Sequence, residues 1–261
     1  MTYCVGMCLR DGLVMITDSR TNAGIDNINS FRKLHIFENP GEAVISLATS
    51  GNLSVTQSVV SMVTEGLPNP ETGETEPLLK APTMFKAAQL VGRAMREVYR
   101  LDGESLEKHG GRFDAAVLVG GEVRDKRMRL FMIYSAGNFI ESSSDTPFLQ
   151  IGEHKYGKPI LDRAITYDTE LNDALKIGLI SMDSTMRSNL AVGLPIDCMI
   201  LKRGALRLDL AHRIEAGDPY FEDLRRRWSE ALRATHQAIP APPYGRQVAN
   251  VEQIVPRTRK A

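Results

Sequence analysis

The sequence contains no apolar run of the roughly 20 residues needed to cross a bilayer. Its first residues also lack the charged segment and long apolar stretch of a secretory signal. A cytoplasmic location without a membrane partner is the expectation. Net charge is missing too: 32 basic residues offset 32 acidic ones, spread along the chain, so there is no electrostatic footprint for nucleic acid or an anionic surface. Cysteine is scarce, and its count of three is odd, which argues against a disulfide framework and for a reducing compartment. Cys4 and Cys8 share one face of a strand, but at about 3.3 Å per residue they sit about 13 Å apart, too far to chelate one zinc. The five histidines, at 35, 109, 154, 212 and 236, form no ligand pair. Buried free thiols, no metal and no cofactor are expected.

A chain of 261 residues holds one large domain or two small ones. Extended runs open it at 2–9 and 13–16, joined at Arg10-Asp11-Gly12, whose Asp-Gly pair signals a hairpin. More strands are predicted at 33–37 and 43–49 from alternating apolar and β-branched residues. Helical spacing then takes over at 53–65 and 83–101, around an exposed Pro-, Glu- and Gly-rich loop at 66–82. Strands at 114–120, 128–135 and 148–151 precede helices from Pro159 and Glu170. Strands at 196–202 and 206–212, the latter with Leu206, Leu208 and Leu210 on one side, close the pattern. Grouped strands and grouped helices with hairpin links point to α+β layers, not to a parallel Rossmann sheet. Asp218-Pro219 is a cap and first-turn proline opening an appended amphipathic helix to about Arg233, with Tyr220, Leu224, Trp228 and Leu232 at every fourth position. Arg225-Arg226-Arg227 reads as its solvated flank. Beyond Pro240 to Pro243 the chain is too poor in apolar residues to fold alone.

The residue that carries chemistry is Thr2, at the head of a strand. A processed terminus is its plain reading. However, a small second residue permits removal of the initiator methionine, and one residue then carries both a hydroxyl and a free α-amine. That amine, with a reference pKa of about 7.7–8.0, is roughly a tenth neutral near pH 7. It is a base placed beside its nucleophile. Such a site needs a cation to tune the amine and an acid to hold that cation. Asp18 and Lys33 suit these roles, although spacing alone reads Asp18 equally well as a turn residue and Lys33 as a surface charge.

The stretch Thr2-Tyr-Cys-Val-Gly-Met-Cys-Leu-Arg-Asp-Gly-Leu-Val-Met-Ile-Thr-Asp18-Ser-Arg20 is similar, without a gap, to the start of mature proteasome β subunits. The likeness continues through Thr21-Asn-Ala-Gly24 and Arg32-Lys33-Leu34. It implies Thr2 as nucleophile, Asp18 and Lys33 as its support, and Arg20 as a neighbour. Ser50-Gly51-Asn52 resembles the family turn whose backbone N–H receives the oxyanion, a task suited to Gly51 because glycine lets backbone approach substrate. Asp183-Ser184-Thr185 through Ser188-Asn189 resembles the acidic site that supports the nucleophile. Asp183 is carried over from it. Met186 replaces the family's serine, so a serine role falls to Ser184 or Ser188. In Gly152-Glu153-His154 the carboxylate of Glu153 stands where the family has a serine bonded near the terminal amine. There it would raise the amine's pKa or bind a different substrate terminus. Gly152 to Lys158 also has the spacing of a phosphate loop, but Pro159 replaces the Ser/Thr that binds magnesium; a strand, a turn and a proline-started helix explain it better.

The Met-Thr start, Asp-Ser-Arg-Thr-Asn-Ala-Gly, Ser-Met-Asp-Ser-Thr-Met-Arg-Ser-Asn and the C-terminal helix most resemble Anbu, a bacterial proteasome-like family of N-terminal-nucleophile (Ntn) hydrolases. That resemblance implies a four-layer αββα sandwich over 1–216, with an added C-terminal helix and tail at 217–261 that contact another subunit. It also implies rings or open spirals of identical subunits, and a threonine peptidase acting on peptide or amide substrates. Two other readings stand beside it: a non-hydrolytic scaffold or binding subunit, and an amidase for small molecules.

Overall fold

The computed structural model describes residues 2–22, 28–70 and 72–244. Met1, the Ala23-Gly24 pair of the family likeness and the tail from 245 lie outside the described residues. By internal contacts the chain divides into unit one, Met1–Arg225, and unit two, Arg226–Ala261.

Along the chain run β1 (Tyr3–Cys8), β2 (Gly12–Asp18), β3 (Arg20–Asn22), β4 (Ile28–Ser30), β5 (Leu34–Asn39) and β6 (Ala43–Gly51), then α1 (Leu53–Glu65), β7 (Leu67–Pro68), β8 (Thr75–Glu76), α2 (Met84–Val98) and α3 (Glu104–Lys108). There follow β9 (Ala115–Val123), β10 (Arg129–Ile133), β11 (Phe139–Glu141), β12 (Phe148–Gly152), α4 (Lys158–Ala164), α5 (Leu171–Ser188), β13 (Ile196–Lys202), β14 (Leu210–Ile214) and α6 (Pro219–Ala238). Two five-stranded sheets dominate, ordered β12-β1-β2-β13-β14 and β11-β10-β9-β6-β5. Their ladders are antiparallel.

Strand periodicity sorts the apolar residues into three cores. Val5, Met7, Val14, Ile16, Cys198 and Ile200 meet Leu161 of α4 and Leu171, Ala174 and Leu179 of α5. Their alternates Cys4, Leu13, Met15, Met199 and Leu201 turn the other way, onto Val44, Ala48, Leu118, Met128 and Leu130 of the second sheet. On the far face of that sheet, Ile45, Leu47, Val117 and Val119 pack on Val55 and Val59 of α1 and on Ala88, Val91 and Met95 of α2. The order is therefore helix, sheet, sheet, helix. Strands covered on both faces must be apolar on both, so β1 and β2 are continuous apolar runs rather than alternating ones. Asn52 caps α1 by accepting the Ser54 N–H at 3.0 Å, and Thr83 caps α2 by accepting the Lys86 N–H at 3.1 Å, which satisfies donors that the first turn leaves free.

Several boundaries differ from expectation. The last strand is β14 at Leu210–Ile214, not 206–212: Leu206 sits in a turn with φ 47°, and pairing with β13 begins only at Ile200↔Leu210. The 66–82 segment is not a bare loop but carries the β7–β8 hairpin. In the first turns of α6 the buried side chains are Phe221 and Leu224, while Tyr220 is 58% exposed. Their three-residue spacing, rather than the four-residue one, faces the core.

Cys4, Cys8 and Cys198 are free and buried. Burial pushes the Cys198 thiol up to about 11 and raises Cys4 and Cys8 as well. Because the thiolate is the reactive form, native protein at about pH 8 is expected to take almost no iodoacetamide. In denaturant it should take three labels per chain. Rapid alkylation of any one thiol in the native state, read by intact mass, would contradict this burial.

Candidate functional site

The β1–β2 hairpin brings the end of β2 beside the start of β1, with Cys4 opposite Thr17. Asp18 therefore lies under Tyr3, whose N–H donates to Asp18 Oδ1 at 3.0 Å. Lys33 comes from the other sheet, one residue before β5, and its main-chain oxygen accepts the Thr49 N–H of β6 at 3.0 Å. Its ammonium crosses between the sheets to donate to Asp18 Oδ1 at 2.8 Å and to the Arg20 carbonyl at 2.6 Å. The N–H of Gly193 donates to Asp18 Oδ2 at 3.3 Å. Asp18 has no exposed surface and Lys33 only 5%. Burial pushes the Asp18 carboxyl up, while the Lys33 ammonium and the N–H groups of Tyr3 and Gly193 pull it back down. A buried pair supplied with further hydrogen bonds is the arrangement in which two charges out of water can persist.

Thr2 is itself buried, at 6% exposure. Its carbonyl accepts the Glu153 N–H at 2.6 Å, extending the β1–β12 ladder by one rung. Gly152 permits this approach. Its φ is 82°, and a Cβ there would fall 2.1 Å from the Thr2 carbonyl oxygen and 3.2 Å from Ser50 Oγ. The same geometry brings the end of β6 to Thr2. Gly51, at φ 107°, would place a Cβ 2.1 Å from the Asp114 oxygen, so only glycine fits that turn.

The structure thus gathers Thr2, Asp18, Lys33, Ser50, Gly51 and Glu153 at one end of the sheet pair. Arg20 joins through its carbonyl, while its guanidinium donates to the Leu190 carbonyl at 2.9 Å. Glu153, 8% exposed, accepts the Lys155 N–H at 3.0 Å and the Asn189 amide at 3.3 Å. Neither oxygen meets a cation among the described residues. Asp183, with no exposed surface, is engaged elsewhere: Arg225 Nε donates to one oxygen at 2.6 Å and Arg187 Nε to the other at 3.1 Å. Arg225, half-buried, is accordingly not a solvated flank but the partner of a buried carboxylate. Ser184 is half-buried and Ser188 exposed; among the described residues neither is hydrogen-bonded to the Thr2 cluster.

Three neighbours were given no role by the sequence reading, although Ser181 and Asn189 lie within its quoted motif. Ser181 contacts the Tyr3 hydroxyl, Asn189 holds Glu153, and Gly193 caps Asp18. The Val192-Gly193-Leu194-Pro195 turn was the one signal available for the last of these, since glycine before a proline turn marks close approach. A cavity of about 670 Å³ between α2 and the β7–β8 hairpin shares no residue with this cluster. Among the described residues no group of His, Cys, Asp and Glu is placed to hold a metal, and no helix is long and apolar enough to cross a membrane.

No protein-family model and no curated sequence matches the chain, but solved structures do. Anbu (ancestral beta-subunit) from Yersinia bercovieri is 45% identical with a TM-score of 0.85, covering 94% of this chain and 100% of that one. A Gly-1 mutant of Anbu from Hyphomicrobium sp. strain MC1 is also 45% identical, with a TM-score of 0.85, 94% of this chain and 100% of that one. The helical assembly of the Anbu complex from Pseudomonas aeruginosa is 43% identical, with a TM-score of 0.86, over 92% and 98% of the respective chains.

Proposed function

The chain belongs to the Anbu family of proteasome-like proteins, and on that premise we propose that it is a self-assembling N-terminal threonine hydrolase acting on amide bonds. The observation that carries this reading is the buried Lys33–Asp18 pair at 2.8 Å, tied to Thr2 through the N–H of the next residue. A fixed cation beside an amine lowers the amine's pKa and so raises its neutral fraction near pH 7. With Met1 removed, the α-amine of Thr2 takes the proton from its own Oγ, which attacks the carbonyl carbon of the scissile amide. The oxyanion that forms is received by the Gly51 N–H. The ammonium returns its proton to the leaving amine as the C–N bond breaks, leaving an acyl ester on Thr2. Water, deprotonated by the same amine, then hydrolyses the ester.

Self-assembly follows the Pseudomonas aeruginosa relative, whose structure is a helical assembly. Identical subunits in a ring or open spiral, with 217–261 contributing a subunit contact, are the corresponding arrangement here. A cytoplasmic location accords with the free thiols. Glu153 favours one competing reading, a subunit that keeps the fold without hydrolysis, because a buried carboxylate on the residue whose N–H meets the Thr2 carbonyl would favour the ammonium form of the α-amine.

Intact mass before and after an epoxyketone probe separates the two. Such a probe needs a hydroxyl and an amine on one residue. The expected spectrum shows loss of the initiator methionine and gain of one probe on the N-terminal peptide. Retained methionine with no adduct would rule out the hydrolase.

A further inference from the structure

Asp183 is a charge that the reaction above leaves unused. A carboxylate without exposed surface persists only when paired and hydrogen-bonded, and its partners come from two helices. Arg187 lies one turn further along α5, with a side chain 54% exposed. Arg225 belongs to α6, is 34% exposed, and makes the shorter contact, 2.6 Å against 3.1 Å. The opening of α6 is firmly docked: Phe221 and Leu224 are buried in the core beneath the first sheet. Asp218 Oδ1 accepts the Phe221 N–H at 2.8 Å, and the Arg225 guanidinium lies 5.7 Å from the centre of the Phe221 ring.

Asp183 lies near the end of α5, in the segment 181–193 that also includes the turn after the helix. That segment reaches the site at three points. Ser181 contacts the hydroxyl of Tyr3, next to the nucleophile; Asn189 holds the carboxylate of Glu153, whose own N–H is on the Thr2 carbonyl; and Gly193 donates to Asp18. Asp183 sits between the first and second of these.

We propose that Arg225 is a positioning residue for the Thr2 site. By gripping Asp183 it fixes the 181–193 segment, and through that segment the placement of Tyr3, Glu153 and Asp18 around Thr2. The start of the C-terminal helix is then part of the support of the catalytic centre rather than an attachment for assembly alone. The proposal rests on the Thr2 reading, but one arm of its test does not.

The test compares the full-length protein with R225A, R225Q and R225K, measuring kcat and KM on a peptide substrate and amide hydrogen exchange by segment. A small misplacement of reacting groups costs rate rather than binding, so R225A should lower kcat roughly ten- to hundredfold and leave KM within about twofold. Exchange at 189–193 should accelerate about tenfold or more while α1 stays as protected as before. R225K, which keeps the cation, should recover most of kcat; R225Q should not. Wild-type kcat in R225A, in a protein whose turnover Thr2→Ala abolishes, overturns the proposal. So does unchanged exchange at 189–193. If the wild type shows no Thr2-dependent turnover, the hydrolase reading falls and the exchange arm alone decides whether Arg225 holds the segment. If R225A exchanges fast throughout, the comparison passes to R225K and R225Q, and equal exchange at 189–193 in those two overturns it.

Discussion

Under the proposed mechanism, Thr2→Ala should bring amide turnover down by about 10⁴-fold or more and abolish covalent labelling, because the acyl ester would have nowhere else to form. The substitution is a clean one. Thr2 meets Glu153 through its carbonyl, which alanine retains, and alanine in second position also permits methionine removal, so the α-amine stays as a base without its nucleophile. Thr2→Ser keeps both groups and should stay within about tenfold of wild type, since the β-methyl only restricts the rotamer of the hydroxyl. Single-turnover release of a fluorogenic amide measures both variants. Turnover that survives Thr2→Ala moves the chemistry to another residue.

Lys33→Met should be the next most severe change. It preserves the stem and removes the ammonium, leaving Asp18 with no exposed surface and, among the described residues, only the Tyr3 and Gly193 N–H groups as donors. Breaking a buried pair on one side typically costs about 3–5 kcal/mol. The loss of a fixed charge at the reacting centre is expected to lower kcat by roughly 10²–10³-fold in addition. The pH dependence has a definite sign. Burial already raises the Asp18 carboxyl and Lys33 opposes that rise, so without Lys33 the folded-state pKa climbs further above its unfolded value. A group raised on folding contributes stability at low pH and loses it as pH rises through the folded pKa. The variant should therefore weaken from acid towards neutral pH, by urea unfolding, and adding Asp18→Asn should restore much of the loss without restoring activity. A Lys33→Met protein as stable and active as wild type would remove the pair from both roles.

Local signals mark what the sequence could reveal. The α1 bounds match the expected 53–65 and the β13 bounds the expected 196–202, because an asparagine cap and a doubly buried strand both write themselves into neighbouring residues. The β14 strand was misplaced for the opposite reason. Leu206, Leu208 and Leu210 alternate as a strand would, yet Leu206 lies in the connection between β13 and β14 with a φ of 47°, and pairing with β13 begins only at Leu210. Long-range pairings were the least legible. Fifteen residues separate Asp18 from Lys33 and forty-two separate Asp183 from Arg225, and no periodicity encodes either contact. Family resemblance singled out Asp18 and Lys33, whereas Arg225 sat in a run of three arginines that looked like solvent-facing charge. The Glu153 backbone contact with Thr2 was equally hidden, since it depends on the positive φ of Gly152.

The filling between the two sheets bears on how the site would respond to load. It is rich in sulfur, with Cys4, Cys8, Met15, Met128 and Met199 among its buried members. Thioether chains are unbranched and soft, and they fill space without imposing one shape. Such a filling leaves the relative position of the sheets to other contacts, and the Lys33–Asp18 pair at 2.8 Å crosses it at the Thr2 rim, so strain between the sheets falls on that contact.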